Sequence, residues 1–198
     1  MVTRERAQAH TLEAVVGGLL LLSSIIFALQ MTAVTPLSAS TSSQHIENQQ
    51  RSVAQGVLAT ADSQGALKES VLYWNDTGGQ FHGTSDIGYY TNDPPKTTFG
   101  AILRDAFDDR SISYNVYIAY RKQGGGQARK PVIYRGRPSD NAVSAARSVT
   151  LMDDDPLIDA DGSVNHSVNV SAASTYPAQN VGASVYNVVR VEVVAWRI

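Results

Sequence analysis

The sequence has no cysteine and little charge, and both absences exclude classes of function. Without cysteine there can be no disulfide, thiol nucleophile or cysteine-ligated zinc site. Charged residues make up 17% of the 198 residues, below the roughly 25% of average soluble domains. The formal net charge of −2 gives no basic surplus for nucleic acid, so no nucleic-acid partner is expected. The four histidines are scattered without an HxH or HxxxH pair, so no metal site is predicted from them.

Charge is also absent from a long stretch near the N-terminus. No Asp, Glu, Lys or Arg lies between Glu13 and Glu47, and residues 14–34 are predominantly apolar. At a rise of ~1.5 Å per residue, about 20 such residues span the ~30 Å hydrocarbon core of a bilayer. Two arginines precede the stretch and no cation follows it until Arg51. The positive-inside tendency therefore predicts a single pass with the N-terminus inside and the remainder outside.

Three interpretations of this apolar segment are open: a cleaved secretory signal, an uncleaved signal anchor, and a prepilin-type leader cut on the cytoplasmic side. A secretory signal needs small side chains at its cleavage site. The large residues Met31 and Leu37 occupy the positions that require small ones, so the match to a secretory cleavage site is poor. A prepilin-type leader needs a charged and a small residue directly before the apolar helix. The run Arg6-Ala7-Gln8-Ala9 supplies both.

The run Arg6-Ala7-Gln8-Ala9-His10-Thr11-Leu12-Glu13-Ala14-Val15, followed by the apolar segment, resembles the start of haloarchaeal type IV pilin-like proteins. The resemblance covers about the first fifty residues. It implies that a prepilin peptidase cuts between Ala7 and Gln8. It also implies that the apolar helix lies in the lipid bilayer before assembly, and packs against other pilin subunits in the core of a cell-surface filament afterwards. The preference for Asp over Glu and for Arg over Lys (13 of 18 acidic and 12 of 16 basic residues) is compatible with a high-salt archaeon.

Two features of the apolar segment acquire specific roles from this resemblance. Glu13 is the sixth residue after the predicted cut, one beyond the fifth position of the usual pilin pattern. The family's glutamate neutralises the N-terminal ammonium of a neighbouring subunit, because an unpaired charge at membrane depth is costly. The alternative is that Glu13 only lies at the start of the helix, where the helix dipole favours an anion. Gly17 and Gly18 are small enough to admit close helix packing, or are merely tolerated in an ordinary anchor.

The remainder of the chain predicts an α+β head domain over 44–198, after a leader (1–7) and a hydrophobic helix (8–43). Pro36 predicts a kink or a break in the hydrophobic helix. Apolar spacing predicts an amphipathic helix over about 44–74, weakened at Gly56 and Gly65. Thr98 is the predicted cap of a short helix, and Gly124-Gly125-Gly126 a hairpin loop. Alternating apolar residues predict an antiparallel β-sheet that packs on the amphipathic helix, a pilin-like arrangement, with strands at 111–120, 130–135, 143–152 and 183–198.

The head domain offers few candidate sites. Three Asn-x-Ser/Thr sequons on the predicted outer side are possible N-glycosylation sites, at Asn75, Asn165 and Asn169. The acidic segment 153–161 matches only the middle of an EF-hand loop, because Leu157 and Val168 occupy its first and twelfth ligand positions. A solvated loop is therefore favoured there over a calcium site. The chain carries no nucleophile-elbow, zinc-protease or phosphate-loop motif, so no catalytic residue, enzymatic activity or cofactor is predicted.

Two functions from different classes follow from these observations. The first is a structural, pilin-like subunit of an archaeal type IV pilus-like surface filament that is anchored in the membrane before assembly. The second is a membrane-anchored extracellular binding or adhesion domain that does not polymerise. The junction Arg6-Ala7-Gln8 separates them, because only a filament subunit needs its helix to leave the membrane with a new N-terminus.

Overall fold

The computed structural model describes the backbone of residues 2–182 and 184–197, and the side chains of these residues except 2–9 and 31–43. The chain forms two compact units, Met1–Ile46 and Glu47–Ile198. Helix α1 (Val2–Ser63) supplies residues to both units. The helix continues through Pro36, so the alternative of a break at this residue is wrong. One proline removes one backbone hydrogen bond, and the helical backbone resumes beyond it.

The predicted amphipathic helix over 44–74 is two helices. Helix α1 ends at Ser63, and Gly65 separates it from helix α2 (Ala66–Leu72). Gly65 has a φ of 73°, a left-handed conformation that glycine adopts without steric cost. Gly56 lies inside α1 and does not interrupt it. The apolar face nonetheless runs through both helices, with buried residues that include Leu58, Ala61, Leu67 and Val71.

The described residues of the C-terminal unit form eight strands and a second short helix, α3 (Thr98–Phe107), which runs into a 3₁₀ turn (Asp108–Arg110). The strands are β1 (Trp74–Asn75), β2 (Gln80–Phe81), β3 (Ile112–Arg121), β4 (Gln127–Ile133), β5 (Val143–Met152), β6 (Pro156–Ile158), β7 (Val164–Asn169) and β8 (Val185–Arg197). Four of them form the main sheet, in the order β4-β3-β8-β5, and all its neighbours are antiparallel. The prediction of a mixed helix and antiparallel-sheet fold with four long strands is thereby confirmed.

One face of the main sheet forms the core of the C-terminal unit. Strand β8 pairs with β3 on one side and β5 on the other, so that Val193 lies opposite Val116 and Ala145. These three side chains are buried together with α2 and α3 residues such as Leu67 and Leu103. Antiparallel sheets commonly bury one face and leave the other to solvent, and β8 follows this rule by alternating buried valines with Val188 and Arg190.

The start of α3 differs from the prediction by one residue. Thr97, rather than Thr98, is the N-cap, and its side-chain oxygen accepts a hydrogen bond from the Gly100 N–H at 3.3 Å. The Thr97 hydroxyl also shares a buried 2.7 Å hydrogen bond with the Ser70 hydroxyl of α2. A Cβ on Gly100 would lie 1.9 Å from the Pro95 carbonyl oxygen, so only glycine fits at this position. The cap therefore also fixes α3 to α2.

Two small hairpins complete the unit. Strands β1 and β2 pair around the 76–79 turn, and β6 and β7 pair around a turn that contains Gly162. The second hairpin replaces the open loop that was predicted for 153–161. Leu157 and Ile158 are buried in it, and this local pairing outweighs the loop preference of the surrounding aspartates and glycine.

Candidate functional site

The N-terminal part of α1 is a candidate membrane segment. Residues His10–Gln30 form a helical segment of 21 residues that is long and apolar enough to span a bilayer. Signal sequences have a similar length and hydropathy. Every one of these residues is exposed within its own unit, including large side chains such as Leu19, Ile25 and Phe27. A contiguous apolar surface of this size marks a site that meets lipid or another protein. The segment thus offers an apolar contact surface.

Gly17 and Gly18 leave open space beside the helix among the described residues. A Cβ placed on Gly17 or Gly18 would meet no other heavy atom within 4 Å. The neighbouring hydroxyls satisfy themselves inside the helix, since Ser23 donates to the Leu19 carbonyl oxygen and Ser24 to that of Leu21, each at 2.8 Å. The glycine pair therefore leaves a shallow place on the helix surface that the described part of this copy does not fill.

Glu13 lies near the start of the segment with a histidine beside it. The Glu13 Oε2 atom is 3.7 Å from His10 Nδ1, one helical turn away, and the two side chains are 82% and 81% exposed. Both are therefore open to a partner outside the chain. Arg6, Ala7 and Gln8 lie within the helical backbone of α1, and their side chains fall outside the described residues.

The three sequons occupy different hydrogen-bonding environments. The Asn75 side-chain oxygen accepts from the Gly78 N–H in the β1–β2 turn. Asn165 is held at both ends, because its oxygen accepts from backbone N–H groups and its Nδ2 donates to Asp159 Oδ1 at 2.9 Å. The Asn169 oxygen accepts from the Ser171 hydroxyl of its own sequon. A glycan would attach to the Nδ2 atom of the asparagine. Among the described residues, the Nδ2 atom of Asn165 donates a hydrogen bond, whereas those of Asn75 and Asn169 do not. Asn165 is therefore the least available of the three for glycosylation.

The aspartates of segment 153–161 do not converge on a cation site. Asp155 forms an ion pair with Lys68 Nζ at 2.6 Å, while Asp153 accepts from Asn180 and Asp159 accepts from Asn165. Asp161 accepts from the N–H and the hydroxyl of Ser163, which hold the pKa of this carboxyl below its usual value. In the part of the chain that the structure describes, no group of three acidic or histidine side chains is placed to hold a metal ion.

A cleft in the C-terminal unit has no counterpart in the sequence-based predictions. It has a volume of about 480 Å³, and its walls include Tyr73, His82, Tyr89, Tyr90 and Lys96. The Tyr73 hydroxyl donates to the Ala160 carbonyl oxygen at 2.8 Å and that of Tyr90 to the His82 carbonyl oxygen. Burial raises the pKa of both tyrosines. The sequence offers only the Tyr89-Tyr90 pair before a proline turn, and this pair does not reveal that Tyr73 and Ala160, which are distant in the sequence, line the same cleft.

Comparison with known proteins identifies a family for this chain. The model of DUF7288, a family of unknown function, matches residues 6–195, which include the apolar segment and nearly all of the C-terminal unit. No curated protein and no solved structure matches the chain. Since the match covers far more than half of the sequence, the chain belongs to DUF7288, a family of unknown function.

Proposed function

We propose that this protein is a structural, pilin-like subunit of an archaeal type IV pilus-like surface filament. The observation that carries the proposal is the exposed 21-residue apolar helix, which directly follows the junction Arg6-Ala7-Gln8. The helix lies in the bilayer before assembly, with the C-terminal unit outside the cell. It exchanges lipid contacts for helix contacts in the filament core afterwards.

The chemistry of the segment suits this exchange. Leucine side chains gain little when protein replaces lipid, so association inside a membrane depends on close packing and polar pairing. The open surface at Gly17 and Gly18 allows close packing, and the exposed Glu13 carboxylate allows polar pairing. After cleavage, the new ammonium group of Gln8 on a neighbouring subunit is the cation that Glu13 neutralises.

Cleavage at the junction is tested by mass spectrometry of the mature N-terminus in membrane and filament fractions. We expect the chain to begin at Gln8. Ala7→Leu should block cleavage, because the resemblance requires a small residue before the cut, whereas the matched variant Ala9→Leu should be processed normally. A mature chain that begins at Met1, or at a residue beyond Leu29, would contradict the proposal.

The second candidate function is an anchored extracellular binding domain, and the cleft beside Tyr73, His82 and Tyr90 favours it. Ligand sites are typically concave, with aromatic walls and a few convergent polar groups, and this cleft adds Lys96, Asp93 and Asn92 to its tyrosines. An anchored domain needs no cleavage at the junction. The same mass spectrum therefore separates the two functions, because a chain that keeps Met1 supports the anchored domain.

A further inference from the structure

The charges of the C-terminal unit are segregated. The residues of the β3–β4 hairpin and of β8 (112–133 and 185–197) carry six basic residues and one acidic residue. The rest of the unit from Glu47 onward carries eight basic and fifteen acidic residues. One part of the unit thus has a formal charge of +5 and the remainder −7, although the whole chain is near neutrality.

Part of the basic charge lies on the solvent face of the main sheet. Ala119 of β3 pairs with both Arg129 of β4 and Arg190 of β8, and Arg190 pairs in turn with Ser148 of β5. Directly paired residues share a face, so these side chains lie on the side opposite the buried valines. Arg129 is neutralised there, because its Nη2 is 2.9 Å from Glu192 Oε2 and its guanidinium lies 3.4 Å from the centre of the Tyr117 ring.

Two other arginines on this face have no such partner. Arg121 and Arg190 are exposed and form no ion pair among the described residues. They border a shallow depression of about 410 Å³, together with Gln127, Ser148 and Val188. Of the residues that the structure describes, no acidic one lines this arginine depression, and Val188 within it is 43% exposed. Guanidinium groups match carboxylates in planar, two-pronged hydrogen bonds, so the depression fits an acidic side chain.

The same unit carries an acidic segment suited to this surface. Segment 153–161 has five aspartates and no basic residue, and one of them, Asp155, is paired with Lys68. Asp154 is exposed and has no partner among the described residues, and Asp161 is exposed with hydrogen bonds only within its own turn. None of the described ion pairs joins this segment to the arginine depression within one copy. The two surfaces remain available to different molecules.

We propose that the arginine depression of one copy binds the acidic segment 153–161 of a second copy. Because the two surfaces differ, the contact is head-to-tail, and head-to-tail contacts extend into rings or filaments rather than stopping at a dimer. Copies that share a membrane or a filament meet at a high effective concentration, so a modest contact suffices. The proposal deepens the filament function and rests on it for the partner, a second copy of this chain.

The absence of cysteine provides a clean test by disulfide trapping. A full-length chain with Ser148→Cys, in the depression, is co-expressed with a differently tagged full-length chain with Ala160→Cys, between Asp159 and Asp161. Oxidation in membranes should give the mixed disulfide. A matched chain with Ala101→Cys, at an alanine of α3 that is also exposed, should give about tenfold less, the ratio for 1.4 kcal/mol.

Charge reversal then tests the chemistry of the contact. Arg190→Glu in the Ser148→Cys chain should lower the mixed disulfide by about tenfold, and Asp154→Arg in the Ala160→Cys chain should restore part of it. Equal trapping at Ala101 and Ala160, or indifference to Arg190→Glu, would overturn the proposal. Binding of heparin by the parent chain that Arg190→Glu abolishes, with trapping unchanged, would assign the depression to an acidic polysaccharide instead.

Failure of this inference and failure of the filament function give different results. A chain that begins at Gln8 and enters filaments, but shows no preference for the Ala160→Cys partner, removes the contact and leaves the filament function intact. A chain that keeps Met1 but still gives the mixed disulfide removes the filament function and leaves a lateral contact between anchored copies.

Discussion

Asp76 shows how a single residue joins two distant parts of the C-terminal unit. Its carboxylate accepts hydrogen bonds from the N–H and hydroxyl groups of both Ser174 and Thr175, at 2.7 to 3.1 Å. Trp74, which is buried, donates from its indole to the Thr175 hydroxyl oxygen at 3.2 Å. Partial burial acts to raise the pKa of Asp76, but these hydrogen bonds outweigh it and lower the pKa below its usual value. The charged form is therefore the one that holds the β1–β2 turn in place.

Asp76→Asn should destabilise the unit at neutral pH by about 1 kcal/mol, because the amide replaces one charged acceptor oxygen by a donor. A carboxyl whose pKa is lowered in the folded state adds stability above its unfolded pKa of about 3.9, and this stability is lost as the pH falls through the folded value. The difference in unfolding free energy between parent and variant should therefore shrink below pH of about 4. Denaturant titrations at several pH values measure it. Asp154→Asn, at an exposed aspartate without a described partner, is the control and should show no such trend.

Other residue-level contacts were beyond prediction because their partners are far apart in the sequence. Arg135 pairs with Asp108, donates to the Asn92 carbonyl oxygen at 2.6 Å, and lies 4.1 Å from the centre of the Tyr114 ring. Neither the spacing nor the type of these residues marks them as a cluster. The same is true of the tyrosine cleft, whose walls come from three separate segments. The isolated sequence carries no signal for such convergence, since folding alone creates it.

At the scale of elements, the spacing of apolar residues predicted the strands of the main sheet. Strands β5 and β8 alternate buried and more exposed residues over much of their length. All four strands of the main sheet were predicted with ends that differ by at most three residues. The β6–β7 hairpin was missed because it is short and lies among aspartates and a glycine that favour turns. The cap at Thr97 was placed one residue late because two adjacent threonines are equally good candidates, and only the contact with Ser70 separates them.

The register of β8 predicts a sharp contrast between two of its valines. Val193 is 0% exposed in the core, whereas Val188 is 43% exposed on the opposite face. Val193→Ala should lower the free energy of unfolding by about 2 kcal/mol, from lost burial and the cavity left behind. Val188→Ala should change it by less than about 0.5 kcal/mol. Chemical denaturation of the full-length chain in detergent compares the two, and equal losses would show that the β8 face assignment is wrong.

At the scale of the whole molecule, the chain combines a C-terminal unit that has a conventional apolar core with an N-terminal helical segment whose apolar side chains are not buried. The C-terminal unit has a core of buried aromatic and branched side chains, while eleven large apolar side chains between Leu12 and Leu29 stay exposed. Water is an unfavourable environment for such a surface, so a bilayer or other helices must cover it. The sequence predicted a long apolar helix here, because length and hydropathy alone define such a helix, and the structure places it at His10–Gln30. What finally covers it depends on molecules outside the chain.

The proposed packing role of Gly17 and Gly18 predicts that filling their open surface affects helix contacts but not lipid contacts. Gly17→Leu with Gly18→Leu should preserve the helix and its insertion, because leucine is the better helix former by up to about 1 kcal/mol per residue and raises hydropathy. It should still reduce incorporation into filaments, because two bulky side chains fill the open surface and hold neighbouring backbones apart. Val15→Leu with Val16→Leu is the matched control: it alters adjacent exposed positions that are already bulky. Quantitative immunoblotting of membrane and filament fractions gives the measurement. Normal filament levels of the glycine variant would show that the pair is not a packing site, and absence of even the parent from filaments would favour the anchored binding domain.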